Sequence, residues 1–163
     1  VGKIRNALKP LKLKVGHAGT LDPLATGLLI VCTGKLTKKI DEFQAQEKEY
    51  TGTMVFGATT PSYDMETEVD QTFDWSVLTE RQVNITAFDI TRVNLPEIDF
   101  RVVCSKGTYI RSLIHDLGKV LNNGAYLSKL KRTKNGNYSL SDAFEVVDLV
   151  NQIRVLKEDG KLK

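Results

Sequence analysis

The sequence has few of the residues that would indicate a disulfide framework, a metal centre or a membrane span. Its 163 residues include two cysteines, two histidines and one tryptophan. Cys32 and Cys104 lie in separate apolar stretches without CxxC spacing, which predicts buried, reduced thiols and excludes a credible zinc site. The longest apolar run, Leu28 to Cys32, is much shorter than the roughly 18–20 residues of a bilayer-spanning helix. With no signal-peptide pattern at the N-terminus, we expect a cytoplasmic protein that binds neither a membrane nor a metal.

The remaining composition is that of one globular domain. Hydrophobic residues make up 41% of the chain and charged residues 26%, which is enough for a packed core. The net charge of +3 is weak evidence for a nucleic-acid partner. Three basic groups suggest a polyanionic substrate more clearly, although three unrelated solvated faces would explain them equally well. The groups are Lys3 to Lys14, Lys35 to Lys39 and Lys129 to Lys134.

Hydrophobic periodicity predicts an α+β fold, with helices flanking a mixed, mostly antiparallel sheet. The predicted helices are Val1–Leu8, Thr37–Gln44 and Tyr109–Leu121, and Leu140–Leu156 is expected to be mostly helical. The predicted strands are Leu28–Cys32, Glu49–Phe56, Val83–Val93, Phe100–Cys104 and Tyr126–Arg132. A turn containing Pro96 joins the third and fourth strands into a hairpin. In the last helix, Phe144, Val147, Leu149, Val150 and Ile153 are the expected core residues.

The stretch Gly16–Gly27, GHAGTLDPLATG, is the densest cluster of unusual residues in the chain. Its glycines and proline impose defined turns, so neither a regular helix nor a plain strand is expected there. Asp22 is its only carboxylate. A fixed carboxylate on a stiff loop suits a nucleophile or a base, whereas an Asp-Pro turn that caps its own loop is the common structural alternative. His17 is either a general acid or a phosphate contact, or a neutral histidine bonded within the loop.

Three further positions are candidates for base recognition and charge pairing. Tyr50 and Tyr109 offer rings on which a nucleobase could stack, or are half-buried packing residues. The segment Ser105–Arg111 ends a strand and opens a helix, which exposes backbone N–H groups and Lys106 to an anion. Arg111 could pair with Asp22 and keep it ionised, although spacing alone leaves that pairing a hypothesis.

These residues fall within motifs that resemble the TruB family of pseudouridine synthases. Gly16–Gly27 is similar to the family signature almost without interruption, and its PLATG form resembles the bacterial tRNA enzymes. Further matches follow in family order along residues 1–143. They are Lys48-Glu49-Tyr50, Cys104–Arg111 (CSKGTYIR) continuing to Gly118, and Gly124-Ala125 with Leu130–Thr133.

The resemblance implies a pseudouridine synthase catalytic fold and isomerisation of uridine 55 in the tRNA T-loop, with no metal or organic cofactor. It implies that Asp22 is the essential aspartate, acting at C1′ or removing the C2′ proton. It assigns base stacking and assistance of the final proton removal to Tyr50, pairing with the aspartate to Arg111, and an RNA contact that helps base flipping to His17. Tyr109 and Leu130 would line the uracil pocket. The expected partner is the tRNA T-arm, with the protein a monomer that needs no protein partner.

The sequence departs from the family at three places. The segment that usually precedes the first helix, an insert near residues 71–81 and a C-terminal PUA domain are not found. We therefore expect 1–163 to be a single catalytic domain with those parts omitted from the sequence, with a junction between Gln71 and Arg81. If the losses are real, a non-catalytic tRNA-binding or tRNA-folding module of the same fold is the alternative function.

Overall fold

The computed structural model describes residues 1–68 and 82–162. Its helices are α1 (Gly2–Leu8), α2 (Ile40–Ala45), α3 (Ile110–Val120) and α4 (Val146–Glu158), and 3₁₀ turns cover Lys9–Leu11, Gly34–Lys39 and Leu140–Asp142. Its strands are β1 (Val15–Ala18), β2 (Thr26–Gly27), β3 (Ile30–Thr33), β4 (Lys48–Phe56), β5 (Ile85–Asn94), β6 (Glu97–Cys104), β7 (Ala125–Asn135) and β8 (Tyr138–Ser139). The predicted α+β class is confirmed.

The main sheet has the strand order β2-β7-β4-β6-β5, with β8 added to the end of β7, while β1 and β3 form a separate antiparallel pair. Every pair of these strands is antiparallel except β2 with β7. The predicted hairpin is present as β5 and β6, whose register closes at Asn94 opposite Glu97. The predicted mostly antiparallel sheet is therefore confirmed, and its one parallel pair involves the short strand that follows Asp22.

Helix α3 packs on one face of this sheet and forms the main core. Ile110 and Ile114 on the helix contact Phe100, Val102 and other buried residues of β4, β6 and β7. Gly118 allows the close approach, because a β-carbon there would lie 2.3 Å from the Ala125 backbone nitrogen of β7. Burial of this apolar face, repeated every three to four residues, is what stabilises an 11-residue helix that would be marginal alone.

A second, smaller core joins the two ends of the described chain. Ile4 and Leu8 of α1 pack against Val150 and Ile153 of α4. The expectation that Leu140–Leu156 is mostly helical is confirmed, although the backbone is extended at Ala143 and again at Glu145, so a 3₁₀ turn precedes α4, which begins at Val146. Phe144 and Val147, predicted to be core residues, are instead 64% and 60% exposed.

The structure also corrects the expectation that Gly16–Gly27 contains no regular structure. Gly16, His17 and Ala18 continue strand β1, and Thr26-Gly27 is strand β2, so the irregular part is limited to residues 19–25. The helix predicted at Thr37–Gln44 is divided between a 3₁₀ turn and α2.

Three sequence-based expectations concern the chain as a whole. Cys32 and Cys104 are buried free thiols, as predicted. Within residues 1–68 and 82–162, no helix has the length and apolar character needed to cross a bilayer. The predicted junction between Gln71 and Arg81 lies outside the described residues.

Candidate active site

Asp22 is held at the tip of the loop between β1 and β2. The backbone N–H of Ala25 donates to the carbonyl oxygen of Asp22 at 2.8 Å, which closes a turn around Pro23 and Leu24. Because the proline ring fixes φ at the second position of such a turn, the backbone of Asp22 is stiffly placed. The Asp-Pro turn and the presentation of a carboxylate are therefore compatible, although the sequence alone presents them as alternatives.

A cavity of about 570 Å³ opens beside this turn. It is lined by four of the six residues predicted for the site, namely Asp22, Tyr50, Tyr109 and Leu130. They come from the β1–β2 loop, from β4, from the residue preceding α3, and from β7. The fold thus brings together residues that lie up to 108 positions apart in the chain.

The two tyrosines of the cavity differ in how firmly they are held. Tyr50 is 9% exposed and belongs to the main core, whereas Tyr109 is 48% exposed. Burial raises the pKa of Tyr50, and the nearby Arg132 guanidinium only partly opposes that effect. Tyr50 is therefore a fixed, neutral phenol with its hydroxyl protonated at physiological pH, and Tyr109 is the more adjustable ring.

Cations outnumber acids in the cavity wall. Lys48, Lys106 and Arg132 line it together with Asp22, which is its only acidic lining residue among those described. Lys48 is buried, and its Nζ donates to the carbonyl oxygens of Gln44 at 2.5 Å and Gln46 at 2.6 Å. Burial, followed by the charge of Arg132, lowers the pKa of Lys48. This excess of positive charge favours an anionic ligand.

Arg111 does not make the expected ion pair with Asp22. Its Nη1 lies 3.6 Å from Oδ2 of Asp64, whose side chain is only 1% exposed, and Arg111 is absent from the cavity lining. Asp64 also accepts hydrogen bonds from the Ser62 hydroxyl at 2.6 Å and the Glu66 N–H at 3.1 Å. No local sequence pattern singles out Asp64 as the competing partner, because it lies in a stretch of polar residues without helix or strand periodicity. The Arg111 guanidinium also lies 5.8 Å from the centre of the Tyr109 ring.

His17 is the other predicted residue that does not line the cavity. It sits in β1 opposite Val31 and is partly buried. Its Nδ1 is buried and makes no hydrogen bond to the described part of the chain. His17 is close to Asp22 in the sequence, but in the structure it lies in strand β1, outside the turn that holds Asp22.

Arg132 and Asp64 are site residues to which the sequence alone assigned no role. Arg132 belongs to a basic group that the sequence predicts for the surface, yet it is 1% exposed. The alternation of β7 contained the signal, because Arg132 lies two residues after buried Leu130 and therefore on the same strand face. The described residues contain no group of three or more His, Cys, Asp or Glu side chains arranged to hold a metal ion.

Two family models match the chain on either side of the middle of the sequence. Residues 5–83 match "TruB family pseudouridylate synthase (N terminal domain)". Residues 111–163 match "tRNA pseudouridylate synthase B C-terminal domain". The first includes Asp22 and Tyr50, and the second includes Arg111, Leu130 and Arg132.

Individual proteins match over most of their length. The chain is 48% identical to tRNA pseudouridine synthase B of Flavobacterium johnsoniae over 182 residues, covering 84% of this chain and 80% of the relative. It is 43% identical to tRNA pseudouridine synthase B of Bacteroides fragilis, covering 85% and 78%. Since 182 aligned positions exceed the 163 residues of this chain, the Flavobacterium protein carries residues without a counterpart here.

Solved structures share the fold. The chain superposes with a TM-score of 0.76 and 29% identity on a chain of the archaeal box H/ACA sRNP Nop10-Cbf5 complex. The TM-score is also 0.76, with 28% identity, for a chain of an H/ACA RNP bound to a substrate RNA containing 2′-deoxyuridine. Both matches cover 98% of this chain and 50% of the other, so it spans about half the length of those solved chains.

Proposed function

Because the chain belongs to the TruB family of pseudouridylate synthases, we propose that it isomerises uridine to pseudouridine in tRNA, at uridine 55 of the T-loop. One observation carries the proposal. Asp22, Tyr50, Tyr109 and Leu130 line one cavity although the chain separates them widely. That cavity combines a fixed carboxylate, two aromatic rings and an apolar wall.

The reaction breaks the N1–C1′ bond of uridine, rotates the uracil and forms a C5–C1′ bond, while C5 loses its proton and N1 gains one. A uracil stacked inside a folded RNA loop offers no access to C1′, so the nucleotide must first be extruded. The cavity of about 570 Å³ has space for an extruded nucleotide. Because the product is an isomer of the substrate, the reaction involves no net oxidation or reduction and consumes no co-substrate.

Each residue that lines the cavity has a role in the reaction that follows from the chemistry of its side chain. The carboxylate of Asp22, which lines the cavity, attacks C1′ or removes the C2′ proton. Tyr50 supplies a rigid ring against the uracil, and its neutral hydroxyl releases its own proton to solvent as the oxygen accepts the proton lost from C5. Tyr109 and Leu130 complete the walls of the uracil pocket.

Two of the expected residues act from outside the cavity lining. Arg111 pairs with Asp64 and lies close to the Tyr109 ring. It supports the stacking position of Tyr109 and moves toward Asp22 when RNA binds. His17, in β1, contacts the RNA outside the cavity and assists extrusion of the base.

The partner is the T-arm of tRNA. Lys48 and Lys106 give the cavity a positive field, and the lysines of the N-terminal region add positive charge elsewhere on the protein. Such charges attract phosphates and make RNA affinity fall as salt rises. The protein acts as a cytoplasmic monomer and needs no protein partner or cofactor.

The test is tritium release from tRNA labelled at C5 of uridine. The unmodified chain releases tritium, and Asp22→Asn abolishes release while its affinity for T-arm RNA stays within about threefold, because the amide keeps the shape of the carboxylate but not its charge or basicity. Asp142→Asn, at an exposed position on the 3₁₀ turn after β8, is the matched control and keeps full activity.

A non-catalytic tRNA-binding module is the second candidate, favoured by the residues of the Flavobacterium relative that have no counterpart here. It would bind T-arm RNA with salt-dependent affinity and leave uridine 55 unmodified. Release of tritium by Asp22→Asn at the rate of the unmodified chain would overturn the assignment of Asp22. Binding without release by the unmodified chain would favour the module.

A further inference from the structure

We infer that Arg132 is a positioning residue, which fixes the Asp22 loop and the Tyr50 ring in one arrangement for the isomerisation. The inference deepens the proposed function and rests on it for its catalytic part. In this role Arg132 does not contact the substrate. It acts through the two residues that face the nucleotide.

The first observation is that one guanidinium holds both arms of the loop. Arg132 Nε donates to the carbonyl oxygen of Leu28 at 2.8 Å, and Nη2 donates to the carbonyl oxygen of Gly19 at 3.1 Å. Gly19 precedes Asp22 by three residues and Leu28 follows it by six. The two bonds therefore tie together the points at which the irregular segment enters and leaves the fold.

The backbone of Arg132 closes the same segment independently. Its carbonyl oxygen accepts from the Leu28 N–H at 2.9 Å, next to the parallel pairing of Gly27 with Arg132. Leu28 thus donates to and accepts from the same residue. A loop fixed by backbone and side chain of one strand residue has little freedom to move its carboxylate.

Tyr50 is the second group that Arg132 holds. Burial raises the pKa of the Tyr50 hydroxyl, and the charge and hydrogen bonding of Arg132 act on that hydroxyl in the opposite direction. Tyr50 and Arg132 are also direct register partners across β4 and β7, and both line the cavity. Asp22 on the loop and Tyr50 on β4 are therefore set relative to each other through one side chain.

The burial and pairing of Arg132 indicate why it is an arginine. The residue is 1% exposed and has no carboxylate within 4.0 Å in the described ranges, so its charge is satisfied by carbonyl oxygens. A planar guanidinium reaches several acceptors in fixed directions, whereas a lysine ammonium is a single point on a flexible stem. A purely apolar core would not select this residue, since burial of a charge is costly.

The test compares Arg132→Gln with Arg101→Gln. Arg101 lies on β6, pairs with Glu49 and Asp89, and does not line the cavity, so its loss measures the cost of removing a structural arginine from the same sheet. For Arg132→Gln we expect kcat to fall by about 100-fold or more, as for an ångström-scale misplacement of reacting groups. The Kd for T-arm RNA should change by less than about threefold. Arg101→Gln should lose stability and keep its kcat.

A second measurement does not depend on activity. Hydrogen–deuterium exchange of residues 19–28 should accelerate at least about tenfold in Arg132→Gln, and should not change in Arg101→Gln. If Arg132→Gln does not fold, Arg132→Lys serves instead, with kcat lowered about tenfold and faster exchange of the same segment.

The outcomes separate the inference from the proposed function. Unmodified protein without tritium release, together with faster loop exchange in Arg132→Gln, overturns the isomerase and keeps the loop-fixing role. A kcat within about threefold of the unmodified chain in either Arg132 variant, or unchanged exchange of residues 19–28, overturns the inference while leaving the isomerase intact.

Discussion

Gly27 and Arg132 approach so closely that no side chain fits between them. A β-carbon on Gly27 would lie 2.3 Å from the Arg132 carbonyl oxygen and 2.9 Å from its nitrogen. Gly27 also adopts a φ of +102°, a conformation that L-residues rarely take. The glycine that follows Asp22 by five residues therefore serves the packing of the loop on β7, which is a structural requirement separate from any approach of the substrate.

We predict that Gly27→Ala destabilises the protein by about 3 kcal/mol or more, through the backbone clash and the strained φ together. Gly57→Ala is the matched control, because Gly57 has a similar φ of +91° but no described atom within 4 Å of the point that a β-carbon would occupy. It should cost only about 1 kcal/mol. Urea denaturation followed by circular dichroism measures both free energies of unfolding. Equal losses in the two variants would contradict the close approach.

Substitutions of Tyr109 and Tyr50 should differ in their effects on RNA affinity and on the free energy of unfolding. Tyr109→Ala is expected to weaken T-arm RNA binding by about 10-fold or more, the effect of one lost stacking interaction. It should change the free energy of unfolding by less than about 1 kcal/mol, because the ring is 48% exposed. Tyr50→Ala, at 9% exposure, should cost about 3 kcal/mol or more. Tyr109→Phe retains the ring and should bind normally. Fluorescence anisotropy with labelled RNA and urea melts measure these effects.

The partner of Arg111 in the free protein is testable by two double-mutant cycles. The cycle of Arg111→Gln with Asp64→Asn should give a coupling energy of about 1 kcal/mol or more, since the Asp64 carboxylate is buried and faces the guanidinium. The cycle of Arg111→Gln with Asp22→Asn should give a coupling near zero in the absence of RNA. Reversed couplings would mean that Arg111 pairs with Asp22 before substrate binds.

The buried His115 predicts a loss of stability on mild acidification. Burial lowers its pKa to about 4, from about 6.5 in an unfolded chain. Between those values the unfolded state binds more protons than the folded state, so stability is full above about pH 6.5 and falls as the pH drops toward 4. The loss is at most about 3 kcal/mol.

Urea melts from pH 7 to 4.5 measure this effect. His115→Gln should remove most of the slope in that window. An identical slope in the variant would assign the pH dependence to other groups. Glu49 is separable, because the hydrogen bonds that it accepts from Thr133 and Arg101 outweigh its burial and lower its pKa. Its contribution is therefore present above the pKa of an unfolded glutamate, about 4.5, and is lost as the pH falls from there toward its lower folded pKa, below most of the His115 window.

Local patterns predicted most of the elements because their periodicity reflects burial on one face. The strands around Tyr50 and Phe100, and helix α3, were predicted to within a few residues. The stretch after Leu140 was correctly predicted to be mostly helical, but nothing in its composition indicates the break caused by the extended backbone at Ala143 and Glu145. Within the site, the sequence identified the residues of the motifs, but it did not show which charged side chains pair with each other. Whether Arg111 meets Asp22 or Asp64 depends on how a polar turn folds over β7, which no local pattern contains.

The bonds that close the Asp22 loop have a consequence for how the protein is made. Leu28 and Arg132, which are joined through Arg132 Nε, are 104 residues apart in the chain. A nascent chain therefore exposes the complete GHAGTLDPLATG segment long before the strand that holds it has left the ribosome. Contacts of such separation form late and slowly. The bonds that fix this motif can therefore form only after Arg132 has been synthesised.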